Sequence, residues 1–179
     1  AIVERVAAKG DAALIEFARK FDGAKLTSRT LQVSEAELAD AGKAVNAKLK
    51  RVIRFAHRNI TQFHKQGLRQ GWSGRNAQGA KVGEKFDPFG RVGVYIPGGT
   101  APLMSTTLMT VTLAKVAGCR EIVVCTPCGR DGSVNPGLLH AAKVAGATEV
   151  YRVGGAHAIA AMAHGTKTIS PVQKIFGPG

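Results

Sequence analysis

One ten-residue pattern is echoed later in this chain, and it constrains the fold more than any other feature. Ala114-Lys115-Val116-Ala117-Gly118-Cys119-Arg120-Glu121-Ile122-Val123 returns 28 residues later as Ala142-Lys143-Val144-Ala145-Gly146-Ala147-Thr148-Glu149-Val150-Tyr151. Each copy reads as the end of a helix, a glycine stop, and a short apolar strand opened by glutamate. Glycine accepts the left-handed conformation that closes a helix, and β-branched residues favour extended chain. Together with the apolar run Val92 to Ile96, the pattern predicts strands near 91–96, 121–125 and 149–153. Helices are expected near 104–117, 134–145 and 156–164. Helical crossovers of this length join parallel strands, so the fold class is α/β with a parallel sheet.

All three strands run into punctuated turns: Pro97-Gly98-Gly99, Thr126-Pro127-Cys128-Gly129 and Gly154-Gly155. With right-handed crossovers these turns share the carboxyl edge of the sheet, where open α/β folds bind ligands. The first of them is the most suggestive. Gly98 and Gly99 lack Cβ atoms, so their backbone N–H groups could come close to the phosphates of a dinucleotide. No Gly-x-Gly-x-x-Gly occurs, however, and Gly-Gly after a strand is often only a tight turn. The glycines alone therefore leave a phosphate ligand and a bare turn both open.

The first 85 residues read as a helical region that belongs to a first α/β domain, and residues 86–179 as a second, sheet-bearing half. Gly10-Asp11 opens a helix carrying Leu14, Phe17 and Phe21, and Asp22-Gly23 stops it. Ser34-Glu35-Ala36-Glu37 is a capping box, and one long helix is expected from there to Gln66-Gly67. Its apolar face would run through Leu38, Ala41, Val45, Leu49, Val52, Ile53, Ala56, Ile60 and Phe63. From Gly71 to Gly83 the composition predicts a loop or hairpin.

Charge is the oddest bulk property, at a formal +13. Much of it sits on or just after that long helix, in Lys48, Lys50, Arg51, Arg54, Arg58, Lys65, Arg69 and Arg75. A basic surface attracts polyanions, so a non-catalytic nucleotide- or polyanion-binding module is the alternative reading. The spacing of Phe55, Phe63 and Trp72 suits a buried helical stripe better than a base-stacking platform, which argues against nucleic acid. No apolar run approaches the roughly 20 residues of a membrane span, and the first residues lack the zones of a secretory signal. A cytoplasmic location is expected, and both ends read as interior sequence of a longer chain.

Three cysteines cannot all pair within one chain, so no disulfide framework is expected. Cys125-Thr126-Pro127-Cys128 has redox or metal spacing but ends a buried strand and lacks a second ligand pair, which favours structural thiols. His57 and His64, like His157 and His164, are seven apart rather than four and read as non-metal. Ser105-Thr106-Thr107 reads as a helix N-cap rather than a nucleophile, His140 as an ordinary helix residue, and Met104, Leu108, Met109 and Val111 as core. By residue type alone, Tyr95 is a strand-end tyrosine packed on the core with its hydroxyl bonded.

Taken in order, four blocks resemble the histidinol dehydrogenase family: Val92 to Leu103, Ala114 to Gly118, Val153-Gly154-Gly155-Ala156-His157-Ala158-Ile159-Ala160-Ala161, and Lys174 to Gly179. The similarity runs from Phe86 onward and, more loosely, through Ile60-Thr61-Gln62-Phe63-His64. It implies a Rossmann-like half related to aldehyde dehydrogenases, and oxidation of L-histidinol through histidinal to L-histidine with two NAD and a bound zinc. It also implies a homodimer. By this resemblance Tyr95 contacts NAD and His157 stands where the family has an NAD-contacting glutamine, while Gly98 and Gly99 of the adjoining turn are cofactor-binding candidates from their bare backbone. Histidine is shorter and its tautomer decides whether it donates or accepts, so that contact is altered. The family's asparagine contact, zinc ligands and catalytic Glu-His pair follow the Phe-Gly-Pro-Gly block. No catalytic or metal residue is therefore assigned here, and the chain alone is expected to be inactive.

Overall fold

A computed structural model describes residues 1–98 and 103–178; Gly99 lies outside the described residues. The chain opens with α1 (Ile2–Lys9) and α2 (Asp11–Phe17), the latter continuing as a π-helical turn over Ala18–Asp22. Gly23, at φ 69°, ends that turn in the left-handed region where only glycine sits without strain. Next come α3 (Glu35–Ala44), α4 (Ala47–Gln66) and an exposed hairpin of β1 (Trp72–Arg75) and β2 (Lys81–Glu84). The remainder alternates: β3 (Arg91–Tyr95), α5 (Met104–Val116), β4 (Glu121–Thr126), α6 (Pro136–Ala145), β5 (Glu149–Arg152), α7 (Gly155–His164) and β6 (Lys174–Phe176).

The main sheet is parallel in the order β5-β4-β3-β6. The expected three strands are all present, and β6 adds a fourth beside β3. Both repeat glycines close their helices with positive φ, Gly118 at 90° and Gly146 at 99°. Alternate residues of β4 feed two separate cores. Ile122 and Val124 pack with Leu108, Val111, Leu138 and Ala141 of α5 and α6. Val123 and Cys125 pack with Leu14, Ala158 and Met162 of α2 and α7. A sheet covered on both faces is what the near-continuous apolar strands require.

Chain direction reverses at one place. It steps outward from β3 to β4 to β5 with α5 and α6 on one face, then crosses by α7 on the other face to lay β6 on the opposite flank of β3. That reversal leaves a crevice at the carboxyl ends of β3 and β6, the place where doubly wound sheets bind ligands.

At the amino edge Arg91 gathers both repeat glutamates. Its Nη1 lies 2.5 Å from Glu121 and 2.6 Å from Glu149, and its Nη2 2.7 Å from the other Glu149 oxygen. Donation to the Glu149 carboxylate raises the already high guanidinium pKa against the cost of burial.

Several expectations need correction. The single long helix is two, because Val45 is extended and buried while the Asn46 side chain accepts from the Leu49 N–H at 2.8 Å and starts α4 afresh. The buried stripe of α4 is narrower than its apolar pattern. Ile53 is buried and Leu49, Ala56 and Ile60 pack beside it, but Val52, Phe55 and Phe63 are exposed, as is Trp72 on β1. Met109 is also exposed on α5, whereas Leu108 and Val111 are core. Ser105, Thr106 and Thr107 lie inside the first turn of α5 rather than capping it; the Thr107 hydroxyl donates to the Leu103 carbonyl at 3.0 Å.

Candidate functional site

Three strand-end turns meet at the carboxyl edge, and Pro127 is what they meet on. A Cβ placed on Gly98 would stand 2.5 Å from the Pro127 Cγ, and one on Gly154 would stand 2.7 Å from its Cβ. Both distances are closer than real Cβ atoms come. The missing side chain at Gly98 thus makes room for a proline ring, a different use from the phosphate approach that its sequence position invited. Gly98 nonetheless lines the cleft that opens above this junction.

That cleft is about 890 Å³, within the range of small-molecule sites, and its wall includes Tyr95, Pro97, Gly98, Pro127, Gly155 and His157. A smaller recess of about 310 Å³ opens at the β3–β6 crevice and shares Tyr95, Gly155 and Ala156 with it. Tyr95 ends β3, where the strand carries its ring to the rim. Its hydroxyl accepts the Gly155 N–H at 3.1 Å. Gly177 comes so close behind that a Cβ there would stand 2.5 Å from the Tyr95 carbonyl oxygen.

Helix α7 presents its N-terminus to this cleft. Its N-cap is Gly154, which has no side chain to bond the first-turn N–H groups. Such an end carries unsatisfied donors and a partial positive charge, and both favour an anion.

His157 lies in the first turn of α7 and is 2% exposed. Its ring packs against Phe17 at 5.5 Å and Phe21 at 5.9 Å between centroids, so the N-terminal helix supplies its cover. Burial pushes its pKa down to about 4, which keeps it neutral at physiological pH, and its Nε2 is buried with no partner. Asp22, at the end of the π-helical turn beside Phe21, also lines the cleft and has a buried, unpartnered Oδ2. Burial raises its pKa. The sequence offered Asp22 only as a helix stop; nothing local marks it as facing the sheet edge 70 and more residues downstream.

The cysteines behave as structural thiols. Cys125 is fully buried and burial pushes it up to about 12, while Cys128 is pushed up to about 11 by burial and by Asp22. Thiols so raised are poor nucleophiles and poor ligands. Among the described residues no group of three His, Cys, Asp or Glu side chains comes together as a metal site. The donor set for the zinc that the resemblance implies is thus not found among them. Nor is any described helix long and apolar enough to cross a membrane.

Comparison with known proteins agrees with this architecture. The family model described as histidinol dehydrogenase matches residues 1–179. A histidinol dehydrogenase of Symbiobacterium thermophilum is 48% identical over 179 residues, all of this chain and 41% of the relative. One from a Synechococcus species is 49% identical over 178 residues, 99% of this chain and again 41% of the relative. The crystal structure of histidinol dehydrogenase from Elizabethkingia anophelis superposes with a TM-score of 0.94 at 39% identity, over 99% of this chain and 41% of that one. The chain therefore spans about two fifths of the length of the relatives it matches.

Proposed function

The chain belongs to the histidinol dehydrogenase family, and from that membership we propose that it forms the dinucleotide-binding half of an enzyme that oxidises L-histidinol to L-histidine. NAD, when bound, accepts the hydride. The residues of this chain bind and orient it. The uncapped N–H groups of α7 face a phosphate, and the Tyr95 ring walls the nicotinamide nucleotide while its hydroxyl stays tied to Gly155. Gly98 edges the same mouth, Gly99 follows it in the chain and is part of the same proposal, and His157 offers its free Nε2 where the family has glutamine.

The single observation that carries this reading is the convergence of Tyr95, Gly98, Gly155 and His157 on one cleft at the carboxyl edge of the sheet. Pairing of two copies in the cytoplasm is part of the same proposal. The exposed apolar residues Phe55 and Phe63 of α4 and Met109 of α5 support a protein contact on that side.

Titration of NADH into the complete polypeptide, followed by its fluorescence, tests the cofactor role. Tyr95→Ala should weaken binding by about tenfold, roughly 1.4 kcal/mol; equal binding by both forms removes Tyr95 from the site.

One observation favours a second reading. Phe55, Phe63 and Trp72, expected inside, are exposed, and the Arg58 guanidinium lies 6.0 Å from the Phe55 ring. Basic groups interleaved with exposed aromatics are the elements of a single-stranded polyanion surface. On that reading the chain binds oligonucleotides with a steep salt dependence that Phe55→Ala and Arg58→Ala reduce; binding insensitive to both excludes it.

A further inference from the structure

Among the described residues, buried polar side-chain atoms without a partner are few: one oxygen of Asp22, one of Thr112, both ring nitrogens of His140, and Nε2 of His157. Of these residues only Asp22 and His157 line the large cleft. A buried acceptor that no protein donor reaches costs free energy unless something else supplies the donor. No lysine, arginine or histidine makes an ion pair with Asp22 among the described residues. Arg130 comes near, its Cγ 3.2 Å from where a Gly23 Cβ would stand, yet it does not pair with the carboxylate. A metal is no better an explanation, since no ligand cluster forms around it.

The carboxyl group is also held in place. Phe17 and Phe21 stack at 5.7 Å with planes 15° apart, and His157 packs against both, so the segment carrying Asp22 is clamped to α7 at the cleft wall. Left-handed Gly23 turns the chain away immediately afterwards. Here the sheet edge thus offers a fixed acceptor-only group in a chain that is otherwise strongly basic.

The geometry points to Asp22 as the group that reads the ribose hydroxyls of the bound dinucleotide and rejects one carrying a ribose phosphate. This rests on the dinucleotide reading given above. A carboxylate accepts hydrogen bonds from vicinal hydroxyls, and it repels a phosphate placed in the same position. Asp22 comes from the N-terminal helical segment, so that segment becomes part of cofactor selection and not only a cover for α7.

Fluorescence titrations of NADH and NADPH into the complete polypeptide test this, with the unaltered protein, Asp22→Asn, Asp22→Ser and Tyr95→Ala. The unaltered protein should favour NADH by at least about tenfold, since like charges brought together at an interface oppose binding strongly. Both Asp22 substitutions should bring the ratio of the two affinities close to one, and Tyr95→Ala should weaken both ligands while leaving the ratio intact. If NADH binds and the ratio is the same with and without Asp22, the assignment is overturned. Equal loss of both ligands in the Asp22 variants overturns it too, because it marks a structural role. Failure of the unaltered protein to bind either ligand instead defeats the dinucleotide reading, and this inference falls with it.

Discussion

His157 carries the clearest consequence at the level of single residues. In the folded chain it stays neutral down to about pH 4 because burial opposes its charge. Unfolded, it takes up a proton below about 6.5. Between these values the unfolded state binds more protons, so the stability present above pH 6.5 is lost as pH falls toward 4. The loss is on the order of 3 kcal/mol at most. His140, lowered by burial and by Lys50, Arg54 and Lys143, and His57, lowered by burial, act in the same direction. His157→Gln should therefore flatten the acid limb without abolishing it, as urea midpoints at pH 7 and pH 5 would record; an unchanged slope contradicts the burial argument. Tyr95 was legible at this scale because a strand end and a family block coincide on it. Asp22 was not, since its place in the cleft depends on helix packing that no local pattern encodes.

Among elements, the turns at the rim act through Pro127, and the contact is specific enough to separate two similar substitutions. A Cβ on Gly98 meets the Pro127 Cγ, an atom that alanine lacks. A Cβ on Gly154 meets the Pro127 Cβ and lies 3.2 Å from its Cα, atoms that alanine keeps. Gly98→Ala and Gly154→Ala should each cost about 1–3 kcal/mol by overpacking. Pro127→Ala should recover about 1 kcal/mol of the first and none of the second, read from a double-mutant cycle in denaturant. The repeat made β4, β5 and their helices readable in advance, because each glycine stop fell where a left-handed residue was needed. Strand β6 escaped because three residues are too few to show a period, and it forms by pairing with β3. The break between α3 and α4 escaped because Val45 continues the apolar spacing; Asn46, a strong N-cap residue, was the signal available.

Viewed as a whole, the molecule carries most of its charge on the outside, with Asp11 and Arg152 buried among the described residues. A formal +13 spread over a surface with few acidic partners repels itself, and that repulsion weakens as salt shortens its range from about 30 Å at 0.01 M to about 10 Å at 0.1 M. Raising NaCl across this range should stabilise the protein by about 1 kcal/mol, a melting-temperature rise of about 2–4 °C for a chain of this size. A fall on adding salt would mean that attractive surface pairs dominate instead. The overall α/β plan could be read from the sequence because a repeated helix-glycine-strand unit admits few other arrangements. Which apolar residues stay exposed could not, since Val52 and Phe63 fall within the apolar pattern that holds Ile53 and differ from it in what lies opposite them.

Arg91 gives the sheet an asymmetry worth following through. Three strands share one cation at the amino edge, and Glu149 is further tied by the Tyr151 hydroxyl at 2.7 Å. At the other end their loops touch chiefly through one proline ring. The staves of this fan are riveted at the base, so a guest entering between the tips can spread or draw in the tips alone, and the spacing of the staves below is preserved.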